Sequence, residues 1–215
     1  MRLRNIPGAK EAVAESPFVI QTPAEQKGRW AERFGNQNPI HIEVGMGKGQ
    51  FLTEMALLHP DVNYVGIERY TSVLYRALQK REELEQTLPN LFYLCIDAQE
   101  LPDIFAPGEV EKIYLNFSDP WPKDRHAKRR LTSREFLARY QQVLPAGGIV
   151  EFKTDNRGLF DFSLEEQKEA GWELLACTYN LHKDEKMMVG NVMTEYERKF
   201  SKLRNPIHKM VIKCP

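Results

Sequence analysis

Between Ile40 and Ala170 short apolar runs alternate with amphipathic stretches, and no other feature narrows the possible folds as much. Residues 40–44 read as a strand that ends in glycines. Phe51, Leu52, Met55 and Leu58 share one helical face, and Pro60 stops that helix. Residues 62–67 form a second expected strand, followed by a helix marked by Val73, Leu74, Ala77, Leu78 and Leu84. Residues 91–96 and 113–117 are the third and fourth strands. Thr132-Ser133-Arg134-Glu135 has the pattern of a capping box for a helix packed through Phe136, Leu137, Tyr140 and Leu144. Gly147-Gly148 turns into a fifth strand, 149–153, and a weaker helix spans 159–170. Two late strands are expected near 172–181 and 195–200, paired as an antiparallel hairpin across a long loop. The expected architecture is α/β: a Rossmann-like, doubly wound, mostly parallel seven-stranded sheet with an antiparallel C-terminal hairpin and helices on both faces.

The stretch before Ile40 is polar and contains Pro7, Pro17 and Pro23. Thr22 is placed to cap a helix running to about Phe34, with Pro23 in its first turn. Residues 1–38 are therefore expected to be a partly flexible N-terminal arm on a main domain of residues 39–215. The chain's 215 residues suffice for one α/β domain with a substantial core. Thirty basic residues balance thirty acidic ones, so attraction to nucleic acid must come from a local patch. Cys95, Cys177 and Cys214 are widely spaced and odd in number, which argues against a disulfide framework or a zinc knuckle. No metal is expected. No apolar run has the length of a signal sequence or a membrane span, and a reducing, cytoplasmic setting fits best. Composition leaves the oligomeric state, monomer or homodimer, open.

In a doubly wound sheet, ligands sit beyond the carboxyl ends of the strands. The first strand runs into Glu43-Val44-Gly45-Met46-Gly47-Lys48-Gly49. Glycines on alternate positions make a tight turn whose backbone can approach a ligand, and a helix with free N–H groups follows. Dinucleotide sites use the spacing G-x-G-x-x-G. Here Gly45, Gly47 and Gly49 follow G-x-G-x-G, and Glu43 precedes them. A carboxylate in that place repels a pyrophosphate. It favours S-adenosylmethionine, which has no phosphate and carries a sulfonium and an ammonium. Glu68 ends the second strand, placed to accept hydrogen bonds from ribose hydroxyls, and Asp97 followed by Ala98 ends the third, placed to hold an adenine amino group. Each acid alone also suits helix capping. Three strand ends in the same order point together to a nucleoside pocket.

The fourth strand ends in Asn116-Phe117-Ser118-Asp119-Pro120-Trp121-Pro122-Lys123. Two prolines stiffen this loop, so Asp119 and Trp121 project from a segment of low conformational freedom beside the expected cofactor. Such rigidity suits holding a flat base. Lys123, Arg125, Lys128, Arg129 and Arg130, with the titratable His126, then face a single acid, Asp124. This cluster suits phosphate contacts that orient a nucleic acid without reading its sequence.

With these motifs the sequence resembles the bacterial tRNA (guanine-N(7)-)-methyltransferases over residues 40–200. The most specific parts are the glycine loop with Glu43, the Asp119-Pro120-Trp121-Pro122-Lys123 loop with its basic tail, and Thr194-Glu195-Tyr196-Glu197 at the start of the expected last strand. The resemblance implies methyl transfer from S-adenosylmethionine to a guanine N7 in the variable loop of tRNA. It implies cofactor contacts from Glu43, Glu68, Asp97 and Asp119, the last also being the catalytic candidate. It implies substrate contacts from Lys123, Asp155, Thr194, Glu195, Tyr196 and Glu197, and RNA contacts from Arg125, His126, Lys128, Arg129 and Arg130. On an extended strand Glu195 and Glu197 would face the same side. Without the resemblance, the residues lead only as far as a methyltransferase with an adjacent basic loop; the alternative reading is an S-adenosylmethionine-dependent methyltransferase acting on another RNA, a protein or a small molecule.

Overall fold

A computed structural model describes residues 6–202 and 205–215. In chain order it contains α1 (Ala9–Glu15), α2 (Trp30–Phe34), β1 (Ile40–Val44), α3 (Gln50–Leu58), β2 (Asn63–Ile67), α4 (Thr71–Glu82), β3 (Leu91–Leu94), α5 (Leu101–Ile104) and β4 (Lys112–Asn116). It continues through α6 (Arg134–Val143), β5 (Ile149–Thr154), α7 (Arg157–Glu169), β6 (Glu173–Thr178), α8 (Glu185–Met188), α9 (Glu195–Lys202) and β7 (His208–Lys213). The seven strands form one sheet in the order β3-β2-β1-β4-β5-β7-β6. β3 to β5 pair in parallel through β2, β1 and β4. β7 runs antiparallel between β5 and β6. The strand order reverses between β1 and β4, which opens a crevice at their carboxyl ends.

Period-two alternation along the strands divides the core in two. Ile42, Val44, Val65, Ile67, Ile113, Leu115, Val150 and Phe152 face Trp30, Phe105 and the apolar stripes of α6 and α7. Tyr64, Tyr93 and Tyr114 face the other way, against Phe51, Leu52 and Met55 of α3 and Leu74 and Leu78 of α4. Gly66 sits on this second face because space there is short: a Cβ would overlap the Met46 sulfur and lie 3.0 Å from both Leu52 and Tyr93.

Four sequence expectations change. The segment 195–200 is helical, not the last strand; that place in the sheet belongs to β7, where Met210 and Ile212 are fully buried. Thr194-x-x-Glu197 is a helix-start pattern, and the Thr194 hydroxyl accepts the Glu197 N–H at 2.9 Å. The expected helix 22–34 is a 3-10 turn, Pro23–Gln26, followed by α2. Gly28, at φ 73°, breaks it and donates its N–H to the Glu109 carboxylate at 3.0 Å. The expected capping box before α6 does not close. Ser133 precedes that helix without capping it, and Glu166 of α7 accepts the Arg134 N–H at 2.6 Å instead.

Finally, the arm expected before β1 is built into the domain over its described part. Trp30 is 0% exposed, stacks on Phe105 at 5.0 Å and donates its indole N–H to the Ile104 carbonyl. Residues 18–20 pair with Tyr93 of β3, covering that sheet edge.

Candidate active site

The turn after β1 owes its shape to its glycines. Gly45, Gly47 and Gly49 have φ of 76°, 58° and 73°, the left-handed region where a side chain is strained. The turn is anchored to the end of β2: Gly45 and Met46 donate to the Ile67 carbonyl, and Gly47 donates to Glu68 Oε2 at 3.2 Å. The other Glu68 oxygen accepts the Tyr70 N–H at 2.9 Å. Burial pushes the Glu68 carboxyl above its ordinary range, partly opposed by these backbone donors. Asp97 closes a capping box with Glu100, and its second oxygen lies 3.8 Å from Arg69.

Two adjoining chambers open beyond these strand ends. The larger, about 670 Å³, is lined by Gly45, Glu68, Asp97, Ala98, Asp119 and Trp121, together with Lys128 and Arg129 of the basic segment. The smaller, about 210 Å³, is lined by Glu43, Gly45, Gly47, Asn116, Phe117 and the helix start Thr194, Glu195 and Tyr196. Gly45 and Phe117 border both. Glu43 is 2% exposed; its Oε1 accepts the Asn116 amide at 2.8 Å, and its Oε2 has no partner among the described residues. Burial pushes its carboxyl up to about 8, against the pull of Asn116 and Lys153. A buried carboxylate oxygen with no donor fits a cationic group in the smaller chamber. The larger chamber, with acids at two strand ends, fits a nucleoside.

The loop after β4 is strained on both sides of Asp119. Phe117 at φ 53° and Trp121 at φ 42° hold left-handed conformations that cost about 1–3 kcal/mol each. Arg130 holds the loop in place by donating to the Pro120 carbonyl at 3.0 Å and the Trp121 carbonyl at 3.1 Å, while its guanidinium lies 4.3 Å from the Phe162 ring centroid. Arg130 is thus committed to the protein. Arg129 lies over the Trp121 indole at 5.0 Å, and His126 packs edge-on against the same ring. Lys123 and Arg125 are exposed, and Lys128 pairs loosely with Glu135 at 3.3 Å. Gly49, Lys123, Arg125, His126 and Asp155 line neither chamber.

The acids of the Thr194–Glu197 stretch do not share a face, because on a helix two residues are about 200° apart. Glu195 pairs with Lys80 of α4. Tyr196 packs at a tilt against Phe117 at 4.8 Å and stacks on Phe200 at 4.1 Å. Glu197 is 0% exposed and bonds Lys153 at 2.8 Å, Asn191 at 2.9 Å and His182 at 2.9 Å. Burial alone would raise its carboxyl, but Lys153 and the other donors hold it below the ordinary range. Lys153 and Asn116 are absent from the sequence-derived site. Their signal is visible in the sequence: Glu43, Asn116 and Lys153 are polar side chains at the ends of strands in a sheet expected to be covered on both faces.

A sheet of this order, with a glycine turn after β1 and acids at three successive strand ends, defines an S-adenosylmethionine-dependent methyltransferase. Residues 37–210 match the family described as "Putative methyltransferase". Proteins called tRNA (guanine-N(7)-)-methyltransferase are 60% identical to this chain in Lachnoclostridium phytofermentans, over 98% of this chain and 97% of that one. Relatives of the same description are 54% identical in Geobacillus thermodenitrificans, over 97% and 95%, and 51% identical in Bacillus subtilis, over 97% and 97%. The chain belongs to the tRNA (guanine-N(7)-)-methyltransferase family. Among solved structures, the 16S rRNA methyltransferase KamB shares the fold at TM-score 0.65 and 17% identity, over 87% of this chain and 93% of that one. A variant of the 16S rRNA (adenine(1408)-N(1))-methyltransferase from Catenulisporales acidiphilia, solved with its cosubstrate SAM, gives TM-score 0.58 at 12% identity, over 89% and 91%.

Proposed function

We propose that this protein methylates N7 of a guanine in the variable loop of tRNA, in the cytoplasm, using S-adenosylmethionine. The observation that carries the reading is the strained, Arg130-tethered Asp119 loop, set at the mouth of a nucleoside-sized chamber and continuous with a basic segment. The names of the relatives support the substrate class. The cofactor supplies an electrophilic methyl group on a sulfonium. Glu43 offers its unpartnered oxygen to the cofactor's ammonium. Glu68 and Asp97 hold the ribose and the adenine, while Gly45 and Gly47 let the backbone come close.

Asp119 has no proton to remove, because guanine N7 already presents an in-plane lone pair. It orients the base and balances the positive charge that moves onto the purine ring, so positioning dominates the barrier. Lys123, Asp155 and Thr194, Glu195 and Tyr196 bound the approach of the substrate nucleotide. Glu197 acts from beneath, by fixing that helix start. Arg125, His126, Lys128 and Arg129 meet the RNA backbone.

Asp119→Ala is expected to lower the single-turnover rate by at least about a hundredfold at saturating cofactor and tRNA, with cofactor affinity little changed. A near-wild-type rate overturns the role. Mapping the modified nucleotide in treated tRNA tests the position, and loss of methyl acceptance after nuclease treatment tests the substrate class.

A further inference from the structure

Behind the smaller chamber lies a buried cation. Lys153, next to last in β5, is 1% exposed. Its three donors are fully used, by Asn191 Oδ1 at 3.2 Å, the Val192 carbonyl at 2.9 Å and Glu197 Oε2 at 2.8 Å. All three acceptors lie in residues 191–197, the segment that ends in the wall of the smaller chamber. On its inner side the ammonium lies 5.2 Å from the centre of the Phe51 ring, which lines the same chamber. One strand away, Asn116, the register partner of Lys153, holds Glu43. One buried charge therefore serves two walls. It fixes the start of α9 on one side and, on the other, stands one strand beyond the Asn116 that holds Glu43.

We propose that Lys153 is a positioning residue for methyl transfer, pinning residues 191–197 as a wall of the smaller chamber and supplying the positive charge that favours a Glu43 carboxylate when the cofactor's ammonium binds. The proposal rests on the reading that Glu43 receives that group. Lys153 grips the α9 start through main chain and side chain at once. Two other ties of α9, Glu195 to Lys80 and Arg198 to Glu54, are half exposed and so weaker. The groups facing Glu43 are Asn116 and Tyr114 of β4, Lys153 of β5, Glu68 after β2 and Tyr93 of β3. Of these, Lys153 is the cation, and it pulls the Glu43 carboxyl down against burial.

The test is calorimetric titration of the full chain with S-adenosylmethionine from pH 6 to 9.5, without RNA. Removing Lys153 alone strands Glu197, so the fold-safe variant is Lys153→Met with Glu197→Gln, which leaves no unpaired buried charge at that pair. It is expected to move the acid limb of cofactor binding upward by about one pH unit. That is about a tenfold weaker Kd at pH 7, where both limbs lie above the measurement. In steady state, KM for the cofactor rises at saturating tRNA. Lys153→Arg keeps the charge and leaves the limb in its wild-type place. A purely structural lysine would change melting temperature and leave the limb where it was. An unmoved limb in the double variant, with Glu43→Gln abolishing the pH dependence, overturns the role of Lys153. If Glu43→Gln itself binds cofactor with the wild-type pH profile, the reading of Glu43 fails instead.

Discussion

At Glu43 one carboxylate oxygen accepts an amide at 2.8 Å and the other accepts nothing among the described residues. Its carboxyl sits at about 8, against an ordinary value of 4.5, because burial penalises the charge. A carboxyl raised in the folded state binds its proton more tightly there than in the unfolded chain. Its contribution to stability is therefore present below about 4.5 and is lost as pH rises toward about 8. Glu43→Gln is expected to flatten this part of the melting-temperature profile, raising Tm at pH 8 relative to wild type, and to weaken cofactor binding strongly. Thermal melts of both proteins across that window check it; parallel profiles would remove Glu43 as the source. The acid's importance is legible from its place before the glycines. Its proton affinity is not, because that depends on Asn116 and Lys153, which are 73 and 110 positions away in sequence and meet it only across the sheet.

The loop after β4 and the helix α9 show how elements take their roles from tethers. The sequence groups Arg130 with its neighbours as an RNA contact, yet its guanidinium donates to two carbonyls of the Asp119 loop. Arg130→Ala is expected to lower turnover about ten- to a hundredfold by loosening that loop, with the salt dependence of tRNA binding nearly unchanged. Single-turnover rates beside a salt titration separate this from a phosphate contact, whose removal would change the slope. In β2, Gly66→Ala is expected to destabilise the protein by about 1–3 kcal/mol, because the new methyl collides with Met46 of the glycine turn and presses on Leu52 and Tyr93. Urea unfolding measures it, and a cost near zero would mean that the turn gives way freely. Residues 195–200 read as a strand in sequence because Glu195 and Glu197 flank Tyr196, a short alternation that Arg198 already breaks. Thr194-x-x-Glu197 holds the opposite signal, and the buried pairing of Glu197 with Lys153 fixes the helical choice.

Over the whole molecule thirty basic and thirty acidic residues cancel, so the attraction to RNA is local and short-ranged under salt. Lys123, Arg125 and Lys128 lie along one basic segment, beside a cleft that itself holds Glu68, Asp97 and Asp119. Replacing these three cations by Gln is expected to reduce the slope of log K against log salt by about 1 for each phosphate no longer neutralised, while cofactor affinity stays unchanged. Fluorescence titrations at several salt concentrations read the slope, and an unaltered slope would remove this segment from the RNA interface. The sequence by itself determined the layered α/β sheet, the glycine turn and the acids at successive strand ends, because period-two and helical patterns and positive-φ glycines are local properties of the chain. Only the tertiary structure decided that Trp30 belongs to the core, that Arg130 braces the Asp119 loop, and that Lys153 joins Glu197 one strand from Asn116. Those outcomes depend on which distant charges and carbonyls come within hydrogen-bond reach once the sheet is assembled, and in a buried setting that reach decides where each charge can stay.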